Sequence, residues 1–160
     1  MQAGRAHYVE TPGLSDTIPR AQALELLLAR IIFGGYFLYS GINHFLHVPQ
    51  MAIGVAAKGL PLPEAAIIGT GLLLAFGGLS ILIGWRPDLG ALAIVIFLLG
   101  VTPIMHAFWN ETDPMARMNQ QAHFLKNVGL LAGAIFAAAA PQPWPYSVAA
   151  RRTMEPALRA

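Results

Sequence analysis

Cysteine is absent from the 160-residue chain, and with it go disulfides, thiol catalysis, Cys-ligated zinc and all-Cys iron–sulfur clusters. Charge is scarce too. Only 11% of the residues are Asp, Glu, Lys or Arg, against about a quarter in an ordinary soluble domain, so a routine aqueous domain is excluded. Period-two alternation is missing from the apolar runs, which argues against a barrel of membrane strands about ten residues long. No basic cluster interleaved with aromatics offers a nucleic-acid surface. No inverted repeat or pair of broken helices marks a transporter.

What remains is apolar: 56% of the chain is hydrophobic, with 16 glycines and 12 prolines. A bilayer core takes roughly 20 apolar residues per helix. Windows of that length with few charges fall at about 23–45, 64–84, 89–109 and 124–140. They predict an all-α integral membrane protein, a four-helix transmembrane bundle in up-down-up-down order. A polar segment, 1–22, precedes this 23–140 domain, and a Pro-rich then basic tail, 141–160, follows it. The first 22 residues carry both charge signs and no separate apolar core, so span one is expected to be an uncleaved anchor. Arg5, Arg20, Arg30, Arg86, Arg151, Arg152 and Arg159 lie on the side of the termini, and Lys58, Arg117 and Lys126 on the other. The positive-inside bias therefore puts both termini in the cytoplasm.

Short connections imply antiparallel neighbours. Trp85-Arg86-Pro87-Asp88 reads as a tight cytoplasmic turn. On the outer side, Val48 to Lys58 reads as a short interfacial helix with Pro49 in its first turn and Gly59 past its end. Asp113-Pro114 reads as an N-cap and first-turn proline, so the helix of span four is expected to begin outside the membrane, with Arg117, Asn119, Gln120 and Gln121 in the outer aqueous phase. Trp144 and Tyr146 in the tail suit the headgroup belt. Gly34, Gly41, Gly77, Gly78, Gly129 and Gly133 are the expected small residues of close helix packing, the last pair forming a G-x-x-x-G that also fits a homo-oligomer. Arg30, about two turns inside span one, is read as structural, its long side chain snorkelling to the cytoplasm. His7, in the polar segment, is given no catalytic role.

Polar groups at membrane depth are costly and mark pathways, ligands or specific internal contacts. They cluster at the outer ends of three spans. Span one ends with Asn43, His44 and His47, span three with Thr102, His106, Trp109 and Asn110, and span four opens with His123, Lys126 and Asn127. Positions three or four apart share a helix face, so His44 with His47, His106 with Trp109 or Asn110, and His123 with Lys126 and Asn127 would form an imidazole-rich layer. The candidate ligand-binding residues are thus Asn43, His44, His47, His106, Trp109, His123, Lys126 and Asn127.

Ser40-Gly41-Ile42-Asn43-His44-Phe45, Lys58-Gly59-Leu60-Pro61, Gly77-Gly78 to Gly84, and His106-Ala107-Phe108-Trp109 with Phe124-Leu125-Lys126-Asn127 together resemble the DoxX family. Arg30 followed by Gly34 is similar to that family's opening pattern, and the resemblance runs over about residues 24–139. It implies a small four-helix protein of the bacterial inner membrane in a redox setting, since the family is named from a subunit linked to thiosulfate:quinone oxidoreductase. Other members are associated with oxidative-stress defence or metal handling. Similar quinone-linked thiol oxidoreductases use cysteines, which this chain lacks.

Three readings of the outer layer follow. In one, it receives a quinone, with His106, Lys126 and Asn127 as donors and Trp109 or Tyr39 against the ring. The chain would then be a subunit, with a redox protein partner supplying electrons, and not a complete enzyme. In another, His44, His47, His106 and His123 ligate copper, zinc or haem iron. In the third, the cluster only holds the helices together, in a structural or assembly protein whose partner is the lipid bilayer.

Overall fold

The structure, a computed structural model, describes residues 18–154. Arg5, His7, Glu10 and Asp16 of the N-terminal segment, and Arg159 of the tail, lie outside the described residues. Six α-helices and one 3-10 turn follow in order: α1 (Arg20–Leu46), α2 (Val48–Ala57), α3 (Pro63–Ile83), α4 (Pro87–Met105), the turn Phe108–Asn110, α5 (Pro114–Ala139) and α6 (Val148–Met154). There is no strand among the described residues. Four stretches, Arg20–Leu46, Pro63–Ile83, Pro87–Asn110 and Pro114–Ala139, are long and apolar enough to cross a membrane, and the protein is an all-α membrane protein.

The local chemistry of the ends explains where the helices start and stop. Proline stands in the first turn of α2, α3, α4 and α5, where its missing N–H costs nothing and its fixed φ is already helical. Asp113 caps α5, its carboxylate accepting from Ala116 N at 2.7 Å. Gly84 ends α3 at φ 67°, with its N–H on Ile81 O, a left-handed cap that glycine takes without strain. α5 begins at Pro114, ahead of its apolar window, as the Asp113-Pro114 pair implies. One end departs from the sequence expectation. α4 stops at Met105, two residues past Pro103, and the 3-10 turn completes the apolar span to Asn110.

Close approach of α1 to α3 sets the frame. A Cβ at Gly34 would lie 2.7 Å from Leu82 N, one at Gly41 would lie 2.5 Å from Ala75 N, and one at Gly78 would collide with Leu38 N. As residue numbers rise along α1 they fall along α3, so the pair is antiparallel. α3 and α4 meet in the same sense, a Cβ on Gly77 running into Ile94 and Gly90 O. Between the helices Phe37, Leu74, Ile94, Leu98 and Ala134 form the core. Gly133 makes room for Phe33 of α1, but Gly129 has nothing within 4 Å. Of the expected G-x-x-x-G, only Gly133 is therefore used inside the chain. Outward, Leu28, Ile32, Leu99, Ile135 and Phe136 are exposed, as a lipid-facing surface requires.

At the end of the bundle where α3 turns into α4, the tail folds back. Trp144 is 2% exposed and belongs to the core cluster. It is not the belt residue that its place in the sequence suggested. Tyr146 does remain exposed. Arg30 also departs from the snorkelling expectation: it is 3% exposed, donating from Nε to Ile81 O at 3.2 Å, from Nη2 to Leu82 O at 2.9 Å and from Nη1 to Pro145 O at 2.8 Å. Its guanidinium carbon sits 5.6 Å from the Trp144 ring centroid. A cation at the carbonyl end of α3 is favoured by the helix dipole, and the planar guanidinium reaches helix and tail at once. A Cβ at Gly84 would strike Ser147 and come within 2.9 Å of Arg30 Nη2, so this position admits only glycine.

Candidate functional site

At the opposite end of the bundle, where α1 and α4 finish and α5 begins, the helices diverge around a cavity of about 660 Å³. Sites that hold drug-sized ligands span roughly 300–1,000 Å³. Its walls are mostly aliphatic, with Tyr36 and Phe97 as aromatic faces and Met51 and Gly54 of α2 closing one side. His44, His106, Lys126 and Asn127 line it where α1, α4 and α5 come together, and Ser40, Gln50 and Thr70 add further polar groups. No Asp or Glu among the described residues lines it.

Each of these four side chains is placed by its element. His44 sits in the last turn of α1, its Nδ1 2.8 Å from Ser40 O one turn back and its ring edge-on to Phe97 at 6.2 Å between centroids. His106 is the residue that ends α4. Its Nδ1 is 2.9 Å from Gln120 Oε1 of α5, and its ring stacks on that of His123 at 5.2 Å and 22°. Asn127 is 6% exposed, and its side-chain amide has no hydrogen-bond partner among the described residues. Among the described residues the fully buried unpaired side-chain polar atoms are Ser80 Oγ, Thr102 Oγ1 and Trp144 Nε1; the Asn127 amide stays accessible from the cavity it lines. Lys126 is exposed beside it, at the cavity's edge.

The other four candidates lie elsewhere. His47 is exposed, its Nδ1 3.1 Å from Asn43 O, and neither it nor Asn43 lines the cavity. Trp109 joins Phe108 and Phe124 in an edge-to-face aromatic cluster, because α4 ends before it and the 3-10 turn aims it away. His123 backs His106 from outside the cavity. Tyr39, named as a ring partner, is 70% exposed, and Tyr36, one turn earlier, lines the cavity instead.

The expected metal set of His44, His47, His106 and His123 is not gathered. No group of three or more His, Asp or Glu among the described residues is placed to hold a metal ion. The physical reason is visible in the rings: two have turned to their own helix's carbonyls, and the other two are stacked face to face, which does not converge their nitrogens on one point.

Gln120, which the sequence reading gave no part in the site, is half-buried and is the partner of His106. A signal for it existed. Gln120, Phe124, Asn127, Leu131 and Ala134 recur at helical spacing, so once Asn127 is placed inward Gln120 follows two turns before it.

Neither a curated protein nor a solved structure matches the chain. The family model of DoxX matches residues 25–107, covering α1 to α4 and both cavity histidines but not Lys126 or Asn127 of α5. That match spans just over half of the sequence, and the chain belongs to the DoxX family.

Proposed function

We propose that this protein is a quinone-interacting subunit of a membrane redox system and that the cavity between α1, α3, α4 and α5 receives the quinone-type ring. One observation carries the reading. A mostly apolar cavity of about 660 Å³ carries two imidazoles, an ammonium and the unpartnered amide of Asn127 where α1, α4 and α5 meet. That combination suits an amphiphile with a polar ring and an apolar tail.

The residues present fit such a group. His44, His106, Lys126 and Asn127 hold ring oxygens, Tyr36 and Phe97 offer aromatic faces, and the aliphatic wall takes the tail. Bound there, a quinone-type ring supplies two-electron, two-proton chemistry, while the chain contributes binding, orientation and exclusion of water. It has no cysteine to serve as an internal redox group, so electrons come through a redox protein partner. His106 and its exposed neighbour His123 lead from the cavity toward the surface, which gives protons a route out.

The basic residues favour an inner-membrane placement with the α3–α4 turn and the tail in the cytoplasm, since Arg20, Arg86 and Arg151 lie at that end. The cavity then opens near the outer interface.

Equilibrium titration of the detergent-purified protein with a decyl-benzoquinone in both its redox forms, the reduced one under anaerobic conditions, tests the reading. The double variant His106→Ala and Lys126→Ala should bind the form that wild type binds more tightly at least about tenfold more weakly, from the loss of two polar contacts. Identical affinities with unchanged melting temperatures would leave the polar layer a purely structural device.

A further inference from the structure

The two cavity histidines differ from generic donors in a way that bears on which redox form of the ring they accept. This rests on the reading of the cavity as a ring site. Ser40 O, a backbone carbonyl, only accepts hydrogen bonds, so the His44 Nδ1 at 2.8 Å from it carries the hydrogen. A neutral imidazole has a single N–H. His44, which lines the cavity, therefore leaves Nε2 as a lone-pair acceptor. His106 repeats the arrangement on another helix: Nδ1 donates to Gln120 Oε1 at 2.9 Å, which again leaves Nε2 an acceptor. Neither Nε2 has a partner among the described residues.

We propose that the cavity selects the dihydroxy, quinol form of the ring over the dicarbonyl, quinone form, with Nε2 of His44 and His106 accepting from ring hydroxyls. A quinone offers only acceptors and would set carbonyl oxygens against imidazole lone pairs. A quinol's hydroxyls donate to the imidazoles and keep lone pairs free for the Lys126 ammonium, which only donates. The Asn127 amide presents both a carbonyl and an NH₂ and serves either form. No carboxylate of the described residues stands on the wall to take the hydroxyl protons from the histidines. Gln120 acts as a positioning residue, since it holds the tautomer of His106 without lining the cavity. His44 needs no such partner, because its own helix backbone sets its tautomer.

The experiment is an anaerobic titration of the full-length protein in detergent with a decyl-benzoquinol, its quinone and the quinol's dimethyl ether, at about pH 8, where imidazoles are neutral. The quinol should bind at least about tenfold more tightly than either other probe, the effect of neutral hydrogen bonds gained or lost. Gln120→Leu frees the His106 tautomer and should cut the quinol-to-quinone affinity ratio by at least about threefold. Lys126→Met removes a donor that serves both forms, so it should weaken both and leave the ratio unchanged. Equal binding of quinol and quinone, tighter binding of the quinone, or a dimethyl ether that binds as tightly as the quinol overturns the selection and leaves the ring-binding reading standing. Failure of the wild type to bind either redox form overturns both.

Discussion

Glycine 78 and glycine 129 are chemically identical and structurally opposite. At Gly78 any Cβ runs into the backbone of α1, whereas at Gly129 nothing lies within 4 Å. Gly78→Ala should therefore cost about 1–3 kcal/mol through overpacking. Gly129→Ala should be neutral or gain up to about 1 kcal/mol from helix propensity. Unfolding midpoints of the two variants in detergent decide it, and a Gly129→Ala as damaging as Gly78→Ala would mean that Gly129 packs against another chain. The candidate site divides in the same residue-by-residue way. Depth along a helix can be read from position in a span, and the polar layer of His44, His106, Lys126 and Asn127 follows from it. Direction around the helix cannot be read so directly at a span's end. His47 and Asn43 share that depth and face elsewhere.

Helix ends are where elements depart from their sequence pattern. Hydropathy runs continuously from Leu89 to Trp109, yet α4 ends at Met105, and the 3-10 turn that follows sends Trp109 to Phe108 and Phe124. The tail departs further. Read alone, Trp144 has the composition of an interfacial anchor; in the fold it is buried against Arg30 beneath the end of α3. Arg30 ties three elements through three carbonyls. Arg30→Met would leave those carbonyls unpaired, at a cost of about 3 kcal/mol. It should also release the tail, read as faster proteolysis beyond Ala140 and a red-shifted Trp144 emission in a variant whose other two tryptophans are replaced by phenylalanine. Arg30→Lys keeps the charge without the planar fork and should fall between the two. An unchanged proteolysis rate in Arg30→Met would show that the tail is held by Trp144 packing alone.

On the scale of the whole molecule, four antiparallel spans place the Arg30 cluster and the cavity at opposite ends of the bundle. The absence of cysteine makes this sidedness directly measurable. Single cysteines at Tyr146 and Asn119, both exposed positions or neighbours of exposed loops, should label from opposite faces of the membrane with an impermeant maleimide. Asn119→Cys should react in intact spheroplasts and Tyr146→Cys only after lysis. The reverse pattern would invert the proposed orientation and put the cavity on the cytoplasmic side. The cavity itself draws on α1, α2, α3, α4 and α5, so no single span carries it.

Composition and hydropathy alone determined that this is a four-span helical membrane protein, because an apolar run of about 20 residues has few other stable fates. The prolines and Asp113 likewise determined most helix starts, since capping is local chemistry. Tertiary structure decided the rest: that Arg30 is buried as a cap and does not snorkel, that Gln120 turns inward to His106, and that the four histidines are dispersed among two carbonyls and one stacked pair. Those outcomes depend on which faces of α1, α4 and α5 meet. Facing is set by glycine contacts such as Gly34 with Gly78 and Gly41 with Ala75, between residues far apart in the chain.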